Sequence, residues 1–277
     1  MRAVISVSLL PLALLACGPQ YVDKPEALDG DITSVDDGED DDIDTDQGDD
    51  DDSSSGDDDD DDDIDPNLDS DNDGVPDAIE LEYGSDPFEA DTDGDGWDDG
   101  EEVDGNTNPM SGGDHPYEGG WPIDACRSDI HSTGNGVGQV ATDFELTDQN
   151  GETVRLHDFC GKAVLLVASA MWCGPCQTEA SELASVYNQY ADDGFIVITL
   201  LGENTFGSTP SRSDLQTWAD SFGIDHPVVA DPGFGVGSRF VSGGSLYLPS
   251  TSLLSDGAVV IKRDSYVSTN DITGALP

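Results

Sequence analysis

Acidic charge is so unevenly placed along these 277 residues that only part of the chain can close a hydrophobic core. Residues 19–118 hold 42 Asp and Glu against one Lys, whereas residues 119–277 hold 19 against seven Lys and Arg, within a net charge of -52. Packing the front portion into a dry interior would crowd like charges in low dielectric, so it needs solvent or bound cations around it. The same charge repels nucleic acid and anionic lipid headgroups, which excludes a nucleic-acid partner, and it attracts divalent cations. Residues 18–67 are mostly Asp, Gly and Ser, including the run Asp57 to Asp63. Such a segment buries too little apolar surface to order itself, and it reads as a disordered acidic tether of roughly 40 Å end to end as a coil.

Ahead of the tether stand Arg2, an apolar run from Val4 to Ala16, and Cys17-Gly18. The run is too short to span a bilayer and has the layout of a secretory signal. Leu14-Leu15-Ala16-Cys17 resembles a bacterial lipoprotein signal box, although Leu15 is unusual at its place. The resemblance implies a signal peptide over 1–17, lipid attachment at Cys17, and an exported protein anchored at a cell-envelope membrane, facing the periplasm or the cell surface.

Behind the tether lies an internal repeat. Asp69, Asp71, Asp73, Asp77 and Glu80 occupy positions 1, 3, 5, 9 and 12 of a loop with Gly74 at position 6. Asp91, Asp93, Asp95, Asp99 and Glu102 with Gly96 repeat the pattern 22 residues later, and the same offset carries Ser85-Asp86-Pro87 onto Thr107-Asn108-Pro109. Alternating carboxylates wrap oxygens around a hard cation, the glycine permits the sharp bend, and a terminal glutamate can bind through both oxygens. Val75 and Trp97 fall at position 7, where a backbone carbonyl would serve. The two units resemble bacterial thrombospondin type 3 repeats, which implies a calcium-binding module over 68–112 in which ions replace a core. The third unit's first aspartate is missing, since Gly113 stands in its place.

Residues 119–277 are enough for one domain with its own core. Within them, Val164 to Ala168 is a short apolar run suited to a buried parallel strand, and it leads into Trp172-Cys173-Gly174-Pro175-Cys176 and then a helix-period pattern at Ala180, Leu183, Ala184 and Tyr187. Two thiols three positions apart at a helix start can close and reopen a disulfide. The helix N-terminus lowers the first thiol's pKa, which makes Cys173 the nucleophile and Cys176 the resolving thiol. A zinc site is excluded because no second pair of ligands has comparable spacing. Around this centre the pattern predicts a hairpin through Phe144–Leu146 and Thr153–Leu156, strands at Ala163–Ala168, Phe195–Leu201 and Val228–Ala230, and helices from about Pro175 and over about Asp214–Phe222. A closing hairpin of Thr251–Leu254 and Ala258–Ile261 follows.

Taken together, the predicted hairpin, Gly161-Lys162, the Trp-Cys-Gly-Pro-Cys turn and Leu248-Pro249-Ser250-Thr251 resemble the TlpA-like thioredoxin family, with alkyl hydroperoxide reductase-type redoxins as relatives, over about residues 136–265. The resemblance implies an α/β thioredoxin-like fold, with a central mixed sheet flanked by helices, and thiol-disulfide oxidoreductase activity on protein disulfides or thiols without an organic cofactor. It makes Trp172 part of the active turn and Pro249 a cis-proline beside the dithiol, with Leu248 offering backbone to a client. Thioredoxins proper carry a buried aspartate where this chain has Val167, and tethered members carry a glutamate where it has Glu179. Glu179 reads equally as a proton acceptor for Cys176 or as a first-turn acid favoured by the helix dipole. A peroxidase of this family would need threonine at the place of Ala170.

With Cys17 lipidated and Cys173 facing Cys176, Cys126 and Cys160 remain. An exported compartment favours a structural disulfide between them, closing a loop of roughly 35 residues for about 4 kcal/mol in the chain-entropy picture, and unpaired buried thiols are the alternative. The expected protein is thus a tethered oxidoreductase with a calcium spacer and an unidentified redox partner. The competing reading is a calcium-stabilised surface binding protein in which the redoxin domain is only a scaffold.

Overall fold

The computed structural model describes residues 66–264 and 266–277, so the signal, Cys17 and nearly all of the tether lie outside the described residues. Strands β3 (Ala163–Ala170) and β4 (Phe195–Glu203) are the longest, and every residue of β3 is buried. A strand buried on both faces has no solvent side to mark with polar residues, so its sequence is a continuous apolar run. β3 and β4 pair in parallel, β5 (Val228–Ala230) extends the sheet beyond β4, and β6 (Ser250–Ser255) and β7 (Val259–Lys262) close the other side antiparallel, giving the order β5-β4-β3-β6-β7. The expected mixed sheet is therefore present.

Alternation of side chains along the strands feeds two layers. Val164, Leu166, Ile196, Ile198 and Leu200 face a cluster with Tyr117, Trp121, Phe144 and Phe159, contributed by the polypeptide before β3 and its small hairpin β1 (Glu145–Thr147) and β2 (Thr153–Arg155). Leu165, Val167, Phe195 and Val197 face Leu183, Val186 and Ile272 from the helices of the opposite layer. Fully burying each such side chain contributes on the order of 1.5–3 kcal/mol.

Those helices follow their local signals. α3 (Gly174–Tyr190) has Pro175 in its first turn, where a missing amide costs nothing, and the short turn after it ends at Gly194 in the left-handed region. α4 (Arg212–Phe222) starts two residues earlier than its periodicity predicts, because Ser211 and Asp214 form a capping box. Gly223 caps its C-terminus. A last helix, α5 (Thr269–Thr273), was not expected. Its signal is the same capping box, Ser268 with Asp271, and Ile272 buries it against β3 and β6. Ala258 is not strand but belongs to the Asp256–Ala258 turn, with φ of 53°, so β7 begins one residue later than predicted.

In front of this domain, α1 (Asp77–Tyr83) and α2 (Asp99–Asp104) each follow one acidic loop. Residues 114–128 join the two parts. Arg127 meets the Asp114 carboxylate at 2.7 Å, the Asn106 carbonyl at 3.1 Å and Asp158 at 3.7 Å. Cys126 and Cys160 are bonded, with Cα atoms 6.0 Å apart. Tyr117 lies in the core and hydrogen-bonds Asp158, so the domain's packing starts two residues ahead of the expected boundary.

Candidate active site and acidic loops

Cys173 and Cys176 stand where β3 hands over to α3, at the carboxyl ends of the parallel strands, the usual place for chemistry in such sheets. They are bonded to one another, with Cα atoms 5.2 Å apart. Cys173 is the N-cap of α3, and its Sγ accepts the Cys176 amide at 3.3 Å. A helix of 17 residues therefore presents its positive end to that sulfur. Cys173, although only 5% exposed, edges a groove of about 500 Å³ whose wall also includes Trp172, Phe234 and Leu248, while Cys176 is 1% exposed, does not line that groove and packs with Ala180 and Trp218. The sulfurs are thus inequivalent: an incoming group reaches Cys173 first.

Pro249 follows a cis peptide bond from Leu248, and β6 begins at the next residue, with Ser250 opposite Ala168 in β3. This register sets the Leu248-Pro249 turn at the dithiol end of the sheet. Glu179 lies one helical turn after Cys176 on the same helix face, where side chains lean back toward the N-terminus. Its Oε2 is buried and has no partner among the described residues, and desolvation, followed by the charge of Glu182, raises its pKa above the ordinary 4.5. Val167 is buried among Leu165, Phe195 and Leu253 and Ala170 is fully buried, so neither supplies a polar group.

Two features went unread in the sequence. Glu203, the last residue of β4, accepts the Trp172 indole N–H at 2.7 Å and lines the same groove. Phe234 has φ of 60° and lies over Gly202 so closely that a Cβ there would come within 2.2 Å of its ring. Position at the end of a parallel strand was the signal for Glu203. Nothing local signalled Phe234, since its role depends on a glycine 32 positions earlier.

In the acidic loops, Asp69, Asp71 and Asp73 gather, as do Asp91, Asp93 and Asp95, each group with carboxylate oxygens within 4.8 Å of one another. Asp69 accepts the amides of Asn72 and Gly74, and Asp91 those of Gly94 and Gly96, so the first aspartate shapes each bend. Position 9 does something else. Asp77 accepts both the amide and the hydroxyl of Ser70, at 2.8 and 2.7 Å, and joins no cluster, against the expectation that it serves its own loop as a ligand. Asp99 makes the same two bonds to Thr92 in its own unit and also meets Asp73 and Glu80, so its carboxylate reaches into the first unit as well. The units interdigitate there: the Gly100 amide donates to Asp73 at 2.7 Å, and a Cβ on Gly100 would fall 2.3 Å from the Asp73 carbonyl oxygen.

Glu80 and Glu102 are 1% and 0% exposed, and all four of their carboxylate oxygens lack partners among the described residues. Burial, then the neighbouring aspartates, pushes Glu80 up to about 7 and Glu102 up to about 8. Oriented, desolvated oxygens beside further carboxylates are costly unless a cation meets them, and an all-oxygen donor set suits calcium or magnesium. Val75 is buried at the interdigitation, and Trp97 stacks on His115 with ring centres 6.3 Å apart.

Comparison with known proteins gives separate matches for the two parts. Residues 137–264 match the AhpC/TSA family, and residues 69–90 and 91–112 each match the bacterial TSP3 repeat. The chain is similar to the thiol-disulfide oxidoreductase ResA of Halalkalibacterium halodurans, 27% identical over 46% of this chain and 66% of that protein. It is also similar to ResA of Geobacillus kaustophilus, 33% identical over 34% of this chain and 51% of the relative. Among solved structures, a thiol:disulfide interchange protein of the thioredoxin family from Chlorobium tepidum aligns over 49% of this chain and 94% of its own, at 19% identity and a TM-score of 0.42. The chain thus spans about half to two thirds of the length of these curated relatives.

Proposed function

With residues 137–264 matching the AhpC/TSA family, we propose that this chain is an exported, membrane-tethered thiol-disulfide oxidoreductase whose clients are protein disulfides or thiols. The observation that carries the reading is the inequivalence of the two bonded sulfurs: Cys173 at the groove and the helix N-terminus, Cys176 buried behind it. In the reducing direction the Cys173 thiolate attacks one sulfur of a client disulfide. The client S–S bond breaks, a mixed disulfide forms, and the departing client thiolate takes a proton. Cys176 then loses its proton and attacks the Cys173 sulfur, releasing the second client thiol and leaving the Cys173–Cys176 disulfide. Two electrons and two protons pass to the client, and a separate dithiol partner restores the reduced form. The steps run backwards when the client is the dithiol.

Glu179 receives the Cys176 proton in this scheme. A carboxylate with a raised pKa, one turn from the resolving thiol, is a better-matched base than an ordinary surface glutamate. Leu248 offers its backbone to the extended client, next to Pro249. Trp172 walls the groove.

The front module binds calcium in this reading. Asp69, Asp71, Asp73 and Glu80, joined by Asp99, would hold one ion, and Asp91, Asp93, Asp95 and Glu102 another. A bound divalent cation supplies compensating charge and cross-links the loops, which have few apolar contacts to do so. The module then spaces the enzyme from a membrane reached through the tether and a lipid on Cys17.

Trapping tests the reading. The full chain with Cys176→Ser should accumulate mixed disulfides through Cys173, cleavable by dithiothreitol, while Cys173→Ser should trap nothing and lose insulin-disulfide reduction entirely. Unchanged reduction by the Cys173→Ser protein would support the scaffold reading, and peroxide consumption without disulfide exchange would support a peroxidase.

A further inference from the structure

We propose that the groove beside Cys173 selects client segments bearing lysine or arginine next to the target cysteine, with Glu203 as the specificity-determining residue. The inference rests on the thiol-exchange reading above.

Glu203 is fixed at this place by backbone and side chain. Its carbonyl accepts the Met171 amide at 2.9 Å, which ties the end of β4 to the active turn, and its Oε2 accepts the Trp172 indole at 2.7 Å. An ionised carboxylate has lone pairs for several donors, so the indole leaves capacity for a client ammonium or guanidinium. Among the residues lining the groove Glu203 is the one that carries charge. Its neighbours in the wall, Trp172, Phe234, Tyr247 and Leu248, present rings or aliphatic carbon. A carboxylate on such a wall attracts a cation more strongly than one surrounded by water. The faces of Trp172 and Tyr247, which are 53% and 75% exposed, add cation–π attraction for the same class of residue.

The wall is also preformed. Phe234 is held by the turn Pro232–Phe234, and the Asp231 carboxylate fastens that turn by accepting the amides of Val236 and Gly237, each at 2.8 Å. With its ring seated on bare Gly202, Phe234 defines one side of the cleft without a client present. The chain's net charge of -52 draws cationic clients from a distance as well. Local selection must therefore be separated from general steering.

The experiment uses the full chain, reduced at Cys173 and Cys176 beforehand, and measures single-turnover rate constants on three peptides. Each carries one cysteine as the same mixed disulfide with a neutral thiol, flanked by Lys, Gln or Glu. The Lys peptide should react about tenfold faster than the Gln peptide, equivalent to about 1.4 kcal/mol. Glu203→Gln, which keeps an acceptor for the Trp172 indole, should bring that ratio close to one, and Glu203→Lys should favour the Glu peptide. Asp256→Asn, at the opposite end of the sheet by the register of β6 on β3, should retain the ratio. Equal rates on all three peptides, or an equal fall of the ratio in the Glu203→Gln and Asp256→Asn proteins, overturns the inference. Failure of the reduced protein to react with any peptide would instead overturn the thiol-exchange reading beneath it.

Discussion

Residues 68–112 and the domain behind them order a chain by opposite means. The domain excludes water from aliphatic and aromatic side chains on both faces of a five-stranded sheet. The module instead buries charge: Glu80, Asp99 and Glu102 are at or below 1% exposure, while Val75 and Pro109 are its buried apolar side chains among the described residues. Its helices of 7 and 6 residues are too short to persist alone. One region carries its stabilising groups within its covalent sequence. In the reading proposed above the other needs a diffusible ion, so its order would depend on the medium in a way the following domain's does not.

Calcium removal should break that pairing most visibly. With excess EGTA, amide-exchange protection over 68–112 should fall by about a hundredfold or more, while β3 and β4 keep theirs. Equal loss in both regions would mean that the module and the domain fold as one unit. Retained protection everywhere would mean that the acidic loops order without an ion.

A second effect belongs to the domain alone. Glu179→Gln should slow the resolving step by about a hundredfold, with accumulation of mixed disulfide measured by quenched-flow trapping. Stability should move the other way. Because burial raises the Glu179 pKa above 4.5, the folded state binds this proton more tightly than the unfolded chain. The carboxyl therefore costs the wild-type protein stability as pH rises past the ordinary glutamate range. The Gln protein should melt at higher temperature than the wild type at pH 8, with the difference closing toward pH 4. An unchanged resolving rate would leave Glu179, which lies in the second turn of α3 and not at its start, without a catalytic task.

The smallest effect sharpens the picture of the module. Asp99→Asn should weaken calcium at the first unit by about tenfold in isothermal titration, although Asp99 lies in the second unit's sequence, since its carboxylate meets Asp73 and Glu80. A loss confined to the second unit would restore the simpler picture of two independent loops.

Much of the domain was legible because its signals are local. A run buried on both faces, such as Val164 to Ala168, has one economical use, and Gly194, Gly223 and the Asn150-Gly151 turn punctuate the elements where their backbone freedom is needed. α5 was missed because five residues hold too short a period to register, even though Ser268 and Asp271 spell its start. In the module the repeat itself was plain, but the assignment of Asp77 and Asp99 assumed that each loop closes on itself. Spacing within a loop gives ligand order along the chain, and it carries no information on how neighbouring units interlock.

Residue order alone determined where the chain could fold at all, which two sulfurs could exchange a bond, and which oxygens could surround a cation, because charge density, helix-start chemistry and alternating donors act over a few positions. Tertiary structure decided that Cys173 faces the groove while Cys176 is covered, that Glu203 and Phe234 wall that groove, and that Asp99 reaches into the preceding unit. Those outcomes depend on strand register and on close approach at Gly202 and Gly100, where residues far apart in sequence compete for one volume. Packing resolves that competition only when the whole chain is in place.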